Sequence, residues 1–365
     1  MFIKYCKKCL MTNLRPRISF NLEGVCNACS WSEKKKKINW DYRKKLLNKI
    51  IKNKNKNFDC IVPVSGGKDS SYVAYQIKNI LGLNPLCITI RPALEYNLGK
   101  ENLLNFLSYG YNHILITPDV NVMRHYDKIG LIKYGRPLLG WQIAVQASIF
   151  KLAVQFKIPL VFFGEEGETE YGGSTKLNNK FFYNVKDSIN FYLAGEDPKK
   201  ISNYFSSKEL YWFTFPSHKE IKSNNLRVSY WSFFENWDSY KHYLFAKKKC
   251  GLKDAHSRLI GTYNNFAQTD TYLYDLHVYI MYLKFGFGRC TQDVGIDIRR
   301  GALTRNQGIE LVKKYDGEKP NIYFDKYYEY FKMNKNQFFS VLKKFTNKKV
   351  FKIKNGDFIK KFKVE

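Results

Sequence analysis

An apolar run over residues 58–64 leads without a break into Ser65-Gly66-Gly67-Lys68-Asp69-Ser70-Ser71, and the residues that follow, to about 81, have helical spacing. A strand that ends on two glycines and restarts as a helix admits few folds. The first N–H groups of such a helix have no partner within it, and its dipole adds partial positive charge at the same end. Without a Cβ at Gly66 or Gly67 an anion can approach the main chain, and the hydroxyls of Ser65, Ser70 and Ser71 and the Lys68 ammonium supply further donors. The expectation is a phosphate cradle from Val64 to Ser71 at the carboxyl end of a buried strand. Lys68 and Asp69 stand side by side at its rim, a cation next to a carboxylate of the kind that a magnesium ion bridging phosphate oxygens prefers.

The turn is not a Walker loop, because Val62 stands where that motif needs glycine and Asp69 where it needs Ser or Thr. Ser-Gly-Gly-Lys-Asp-Ser-Ser instead resembles the signature of the PP-loop ATP pyrophosphatases. That resemblance implies ATP as cosubstrate, a loop that holds the pyrophosphate leaving group, and AMP as product. It also places Ile90-Arg91 and Gly164-Glu165 at the nucleotide, since ligands of open α/β sheets bind outside the carboxyl ends of the strands.

The surrounding pattern fits an α/β fold with a parallel sheet flanked by helices. Short apolar strands are expected at 58–64, 85–90, 113–116 and 160–164, separated by helices near 70–81, 100–109, 120–133 and 141–157. A fifth strand is expected at 227–234. The intervening stretch, 172–226, is aromatic, rich in Asn and Ser and poorly periodic, and reads as an insertion or lid. Beyond residue 237 the pattern is mainly helical, clearest at 270–283 and 304–315, with a terminal hairpin about Asn355-Gly356. The expected domains are 1–38, 39–245 and 246–365.

The first of these carries Cys6-x2-Cys9 and Cys26-x2-Cys29 with sixteen residues between the pairs, the spacing of a tetrahedral zinc knuckle. Four thiolates leave no open coordination position, so the expected zinc is structural. Of the other four cysteines, Cys60 and Cys87 fall inside apolar strands. Cys250 and Cys290 complete the eight without a further Cys-x2-Cys pair.

The net charge of +29 would suit a polynucleotide partner. The lysines are spread along the whole chain among many Asn, Tyr, Phe and Ile, as AT-rich coding alone produces, and nucleic acid is not the favoured partner. No apolar run approaches the roughly eighteen residues of a membrane span, so no membrane insertion and a cytoplasmic location are expected. The six histidines show no metal-like spacing and read as incidental.

Several further segments occur together in order: the Thr12-Asn13-Leu14-Arg15-Pro16 run between the cysteine pairs, Glu170-Tyr171-Gly172-Gly173, Ser229-Tyr230, Asn236-Trp237-Asp238, Lys284-Phe285-Gly286-Phe287-Gly288-Arg289, Gln292-Asp293, Ile298-Arg299, and Thr304-Arg305. The set resembles the N-acetyl sugar amidotransferase family, WbpG- and PseA-like, over most of the chain. Cys290 departs from it, standing where a small residue is expected, and reads as a small packed hydrophobe or a reactive thiol.

The resemblance implies conversion of an acetamido group on an activated bacterial sugar, a nonulosonate or a nucleotide sugar, into an acetamidino group. The amide oxygen is first adenylated and ammonia then displaces AMP. Glu166, Glu170, Tyr171, Arg289, Asp293, Arg299 and Arg300 are the expected substrate-binding residues, the arginines matching carboxylate or phosphate. Phe2 excludes an N-terminal cysteine nucleophile, and no Gly-x-Cys-x-Gly elbow is present, so a separate glutaminase subunit is expected to supply ammonia. The rival is a PP-loop enzyme that thiolates or aminates tRNA, although thiolation usually needs a further cysteine pair.

Overall fold

The structure, a computed structural model, describes residues 3–52, 57–193, 195–198, 204–362 and 364. Five strands, β1 (Cys60–Pro63), β2 (Pro85–Ile90), β3 (Asn112–Ile116), β4 (Leu160–Phe163) and β5 (Arg227–Tyr230), form one sheet in the order β3-β2-β1-β4-β5. All four pairings are parallel. The order reverses direction at β1, so the crevice at its carboxyl end is the place where such sheets bind ligands.

Strand residues alternate between two apolar layers, as the two-residue pleat requires. Ile61, Leu86, Ile88, Ile90, Val161 and Val228 face α6 (Leu139–Gln155), whose Ile143, Ala144, Phe150 and Ala153 are buried against them. Cys60, Val62, Cys87, Leu160 and Phe162 face the other way, onto Val73, Ala74 and Ile77 of the helix after β1 and onto Ala246 of helix Ser239–Lys249. A helix covered on so much of its surface carries little amphipathic signal, which is why α6 is apolar nearly all round.

Two sequence expectations change in detail. The helix after β1 is α-helical over α3 (Lys68–Tyr75) and then widens into a π-turn over Gln76–Ile80. The fifth strand is shorter than 227–234, because Trp231–Phe233 closes into a 3-10 turn that buries Trp231. Stretch 172–226 is built into the core rather than standing free of it. Its short helical turns have no long period to read, yet they bury Leu177, Tyr183, Leu193 and Phe213 in the α6 layer, and Tyr183 bridges to Val228.

The C-terminal part is helical. Leu273, Leu276, Ile280 and Leu283 of helix Leu273–Phe285 pack on Tyr327 and Phe331 of helix Phe324–Phe331 and on Phe338 and Leu342 of helix Lys335–Phe345. The expected hairpin is present, with β6 (Phe351–Lys354) and β7 (Asp357–Lys360) joined through positive φ at Asn355 and Gly356. The first thirty-five residues do not form a detached lobe: the cysteine quartet shares a core with Met281, Phe285 and Phe287. No helix among the described residues is long and apolar enough to cross a membrane.

Asp127, fully buried, ties the two parts together by accepting hydrogen bonds from Gly140 N at 2.7 Å and Tyr330 Oη at 2.8 Å. Burial pushes its pKa up to about 7 against the lowering effect of those donors. A carboxyl raised in the folded state holds its proton longer there than in the unfolded chain. Its contribution is therefore complete below about pH 4 and lost as pH climbs through 7. Unfolding free energies measured from pH 5 to 8 should fall more steeply for the native protein than for Asp127→Asn, by an amount on the order of 2–3 kcal/mol. Parallel curves would assign the slope to other groups.

Candidate active site

β1 continues one residue past its ladder, Val64 N donating to Ile88 O at 2.8 Å, and the chain then turns through Gly66 at φ +78°. A side chain at Gly66 would place its Cβ 2.3 Å from Leu103 N, so both the left-handed backbone and the close approach of α4 (Asn97–Leu107) require glycine. Gly66→Ala is therefore expected to cost about 3 kcal/mol or more, read as a loss of soluble yield and of melting temperature. Gly67 caps α3 without any side-chain acceptor, which leaves the first-turn N–H groups facing outward. Ser70 Oγ lies 3.4 Å from Ser65 N and 3.3 Å from Gly67 O, fixing the turn from inside. The buried Ser71 Oγ has no partner.

Three charged groups stand at the mouth of the turn. Lys68 Nζ forms an ion pair with Asp69 Oδ2. His242 Nδ1 sits 3.2 Å from Asp69 Oδ1, and His242 Nε2 sits 3.3 Å from Glu235 Oε1. Burial opposes the charge on Lys68, but Asp69 and Glu165 prevail and raise its pKa. Burial likewise opposes ionisation of Asp69, which Lys68 and His242 reverse, lowering its pKa. For His242, burial is again overcome by the two carboxylates, and its pKa rises. Glu165 moves the other way: burial and the Asp69 charge push it up to about 7, although Lys68 and the Tyr171 hydroxyl, at 2.7 Å from both of its oxygens, favour the anion.

Two cavities lie on either side of the turn. One, of about 340 Å³, is framed by Val64, Ser65, Ser70, Ile90, Trp141, Phe163 and Asp270, with the Trp141 indole anchored on Ile90 O at 2.9 Å. The other, of about 510 Å³, is lined by Lys68, Glu165, Tyr171, Asn264, Asp293 and Arg300. Ser65 opens on the first, Lys68 on the second, and the turn itself is the partition.

Most of the expected residues therefore converge. Gly164 packs so that a Cβ there would press on the Trp237 ring at 3.3 Å and lie 3.7 Å from Asp69 Cβ. Others are placed elsewhere. Arg91 is half-exposed, pairs with Glu95 at 3.4 Å and lines neither cavity. Glu166 is buried as the cap of α7 (Gly167–Glu170), accepting from Thr169 N and from Tyr192 Oη at 2.8 and 2.7 Å. Glu170 accepts from Trp31 Nε1 at 2.9 Å and from Lys35 Nζ at 2.7 Å.

A further cavity of about 250 Å³ brings Arg299 and Arg300 together with Glu165, Glu170 and Tyr171, but Arg289 lines none of these cavities and only Arg300 also reaches the second one, a split that follows from helix geometry. Along helix Arg289–Arg299 a residue advances about 100°, so Arg289, Asp293 and Arg300 fall on one stripe while Arg299 points a quarter-turn away. Arg289, 2% exposed, donates to Ala267 O and stands 3.9 Å from Asp293 behind the second cavity. Arg300 reaches that cavity, paired with Asp297 at 2.6 Å and stacked over Tyr240. Arg299 faces the charges of Cys9, Cys29 and Cys26.

The four cysteine sulfurs lie within 4.8 Å of one another, all buried, with Cys9 Sγ and Cys26 Sγ 3.6 Å apart. Bonds of 2.3 Å to one tetrahedral ion set sulfur spacings of about 3.8 Å, so the quartet fits a single metal. Cys26 N donates to Cys6 Sγ at 3.2 Å, the second-shell bond that steadies a thiolate ligand. Cys290 is buried, donates to Leu311 O and packs as a small hydrophobe. None of Cys60, Cys87, Cys250 and Cys290 lines either cavity.

Sequence reading passed over His242, Glu235 and Asp270. A test for metal spacing cannot find a histidine whose partners are carboxylates from distant segments. The one local signal is Asp238, which caps helix Ser239–Lys249 and so places His242 one turn inside its start.

The reversal of strand order at β1, the glycine turn and the part-buried Lys68-Asp69 pair give the parallel sheet a phosphate-sized turn at its switch point, the place where a nucleotide could be held. Residues 260–363 match the family model described as LPS biosynthesis protein WbpG-like, C-terminal domain, so the chain is WbpG-like over that segment. No curated protein matches the chain. Among solved structures it is similar to the U34-tRNA thiolase NcsA from Methanococcus maripaludis with its 4Fe-4S cluster, at 14% identity and a TM-score of 0.33, over 83% of this chain and 88% of that one.

Proposed function

We propose that the protein is an ATP-dependent N-acetyl sugar amidotransferase that converts an acetamido group of an activated sugar into an acetamidino group, releasing AMP and pyrophosphate. The observation that carries this reading is the pair of cavities divided by the Ser65–Ser71 turn, one apolar and sized for a nucleoside, the other polar and open to Lys68 and Glu165. The matched WbpG-like segment supplies Asn264, Asp293 and Arg300 of the polar cavity, and so supports a sugar as its occupant.

Adenine lies between Ile90, Trp141 and Phe163, and the β- and γ-phosphates rest on the α3 N-terminus and Lys68. The α-phosphate is then presented at the partition. The substrate amide oxygen attacks it, the bond to the β-phosphate breaks, and the oxygen becomes part of an imidate–AMP. Ammonia adds to the former carbonyl carbon, AMP leaves with the oxygen, and the amidine remains. Glu165, with a pKa near neutrality, is placed to take the proton that the incoming nitrogen must lose. Asp69 is the residue that would hold Mg2+. Its carboxylate offers about four lone-pair positions, of which Lys68 and His242 occupy two, and the ion when bound shields phosphate charge. Ammonia comes from a separate glutaminase subunit.

The cysteine quartet is assigned to structural Zn2+, because a cuboidal iron cluster binds each thiolate at a different iron and holds the sulfurs farther apart than one ion does. The functional reading is tested by incubating protein, ATP, Mg2+ and ammonium with diacetamido nucleotide sugars and nonulosonates. A product lighter by the difference between O and NH, formed with stoichiometric AMP, is the expected result. ADP in place of AMP, or tRNA retained with no sugar turned over, would sink it.

A further inference from the structure

A third cavity, of about 350 Å³, is lined by four cationic side chains, Arg15, Arg17, Arg136 and Lys284, and by no carboxylate among the described residues. Its edges are shared: Gln142 also borders the nucleotide cavity and Gln292 the polar one. Arg17 is neutralised by Glu168 at the rim. The other three cations are held by neutral groups. Arg136 donates to Leu193 O at 2.8 Å, Tyr192 O at 2.9 Å and Gln142 Oε1 at 2.6 Å, and Lys284 Nζ to Tyr134 O at 2.7 Å. Arg15 Nε and the nearby His277 Nδ1 are buried without a hydrogen-bond partner. Glu196, the acid nearest Arg136 in effect, accepts from Tyr134 and does not line the cavity.

Gathering like charges under partial burial is unfavourable, and all the cations but the Glu168-paired Arg17 show it. Burial brings Arg15 and Arg136 down to about 10, lowers Lys284 with help from Arg136, and takes His277 down to about 4. Glu168 and Glu196 act on Arg15 and Arg136 only from a distance, and a fold that keeps three cations without a contacting carboxylate and two orphaned nitrogens around one void is organised to receive an anion. Three positive charges exceed what one carboxylate needs and match a diphosphate. Phe191, Phe285 and Phe287 add apolar faces on which a planar base can lie.

We infer that this cavity binds the diphosphate of a nucleoside diphosphate, with Arg15, Arg136 and Lys284 as its ligands and Gln292 marking the passage by which an attached sugar enters the polar cavity. That the ligand is the acceptor's handle rests on the amidotransferase reading; that the cavity takes phosphoryl groups does not.

The test is calorimetric titration of the full chain, saturated with α,β-methylene-ATP so that the nucleotide cavity is filled, with UDP, inorganic pyrophosphate and N-acetylneuraminate in separate arms. UDP and pyrophosphate are expected to bind in the presence of the analogue. Both should weaken at least about tenfold in Arg15→Gln and Lys284→Met, and hold within about threefold in Lys284→Arg. If Lys284→Met does not fold, Arg15→Gln on the outer knuckle loop gives the same reading. UDP and pyrophosphate displaced by the analogue, or indifferent to Arg15→Gln, would overturn the inference. So would N-acetylneuraminate binding while both phosphates stay silent. Because no turnover is measured, a failed sugar reaction leaves this outcome standing.

Discussion

Asp69→Asn should lower ATP-to-AMP turnover by about two to three orders of magnitude while moving the melting temperature by no more than a few degrees. Asn has the shape of Asp and can still meet His242, so the turn keeps its geometry. What it removes is the charge that balances Lys68 and His242 and provides the hard oxygen for magnesium. Lys68→Met is the complementary change. It takes away the Lys68 charge that favours the Glu165 anion and leaves only His242 beside Asp69, so Glu165 should titrate higher still and the pH optimum should move up with it. Pyrophosphate release across pH 6–9, with melting curves on the same samples, checks both. A variant at either position that turns over like the parent would remove the phosphate turn from the mechanism.

The second large effect concerns the cysteine quartet. Cys26→Ser should lose the metal, read by elemental analysis, lower the melting temperature by about 10 °C or more, and abolish sugar turnover. Affinity for an ATP analogue should stay within about threefold. The dissociation of the two activities follows from where the knuckle's contacts go. Asn27 Nδ2 donates to Gly173 O at 2.8 Å, Trp31 and Lys35 hold Glu170, and Lys35 Nζ also donates to Trp237 O at 3.1 Å. Arg17 clamps Glu168. These are the residues that carry Tyr171 and the wall of the polar cavity. None of Asn27, Trp31 or Lys35 lines the nucleotide cavity. Equal loss of ATP binding and turnover would instead mean that the knuckle supports the whole fold.

The sheet and its phosphate turn were legible because both are local: a short apolar strand, two glycines and a helix start occupy about twenty consecutive residues, and burial on both faces is written directly into the unbroken apolar run Cys60, Ile61 and Val62. The cysteine quartet was legible for the same reason, its pairs and spacing lying within thirty residues. What could not be read is what depends on distant segments meeting. Nothing near His242 announces that Asp69 and Glu235 will bracket it. Nothing in 172–226 shows that Leu177, Tyr183 and Phe213 are core, because single aromatic residues on short turns leave no period. The arginine group 289–300 was legible as a group, but not the divergence of Arg299 from Arg300, which helix phase alone decides. The cationic cavity escaped because its cations come from three distant segments, around Arg15 and Arg17, at Arg136 and at Lys284, none of them a basic run.

The knuckle's union with helices Leu273–Phe285 and Arg289–Arg299 sets an order of events during synthesis. A ribosome finishes β1 to β5 and the glycine turn while Met281, Phe285 and Phe287, the partners of the cysteine core, are still untranslated, so the amino-terminal segment must wait with that apolar face uncovered. A nascent chain halted near residue 250 would thus carry the phosphate turn but neither Asp270 of the nucleotide cavity nor most of the polar chamber. Assembly of the reactive compartment is a late step, complete only once synthesis has passed Arg300.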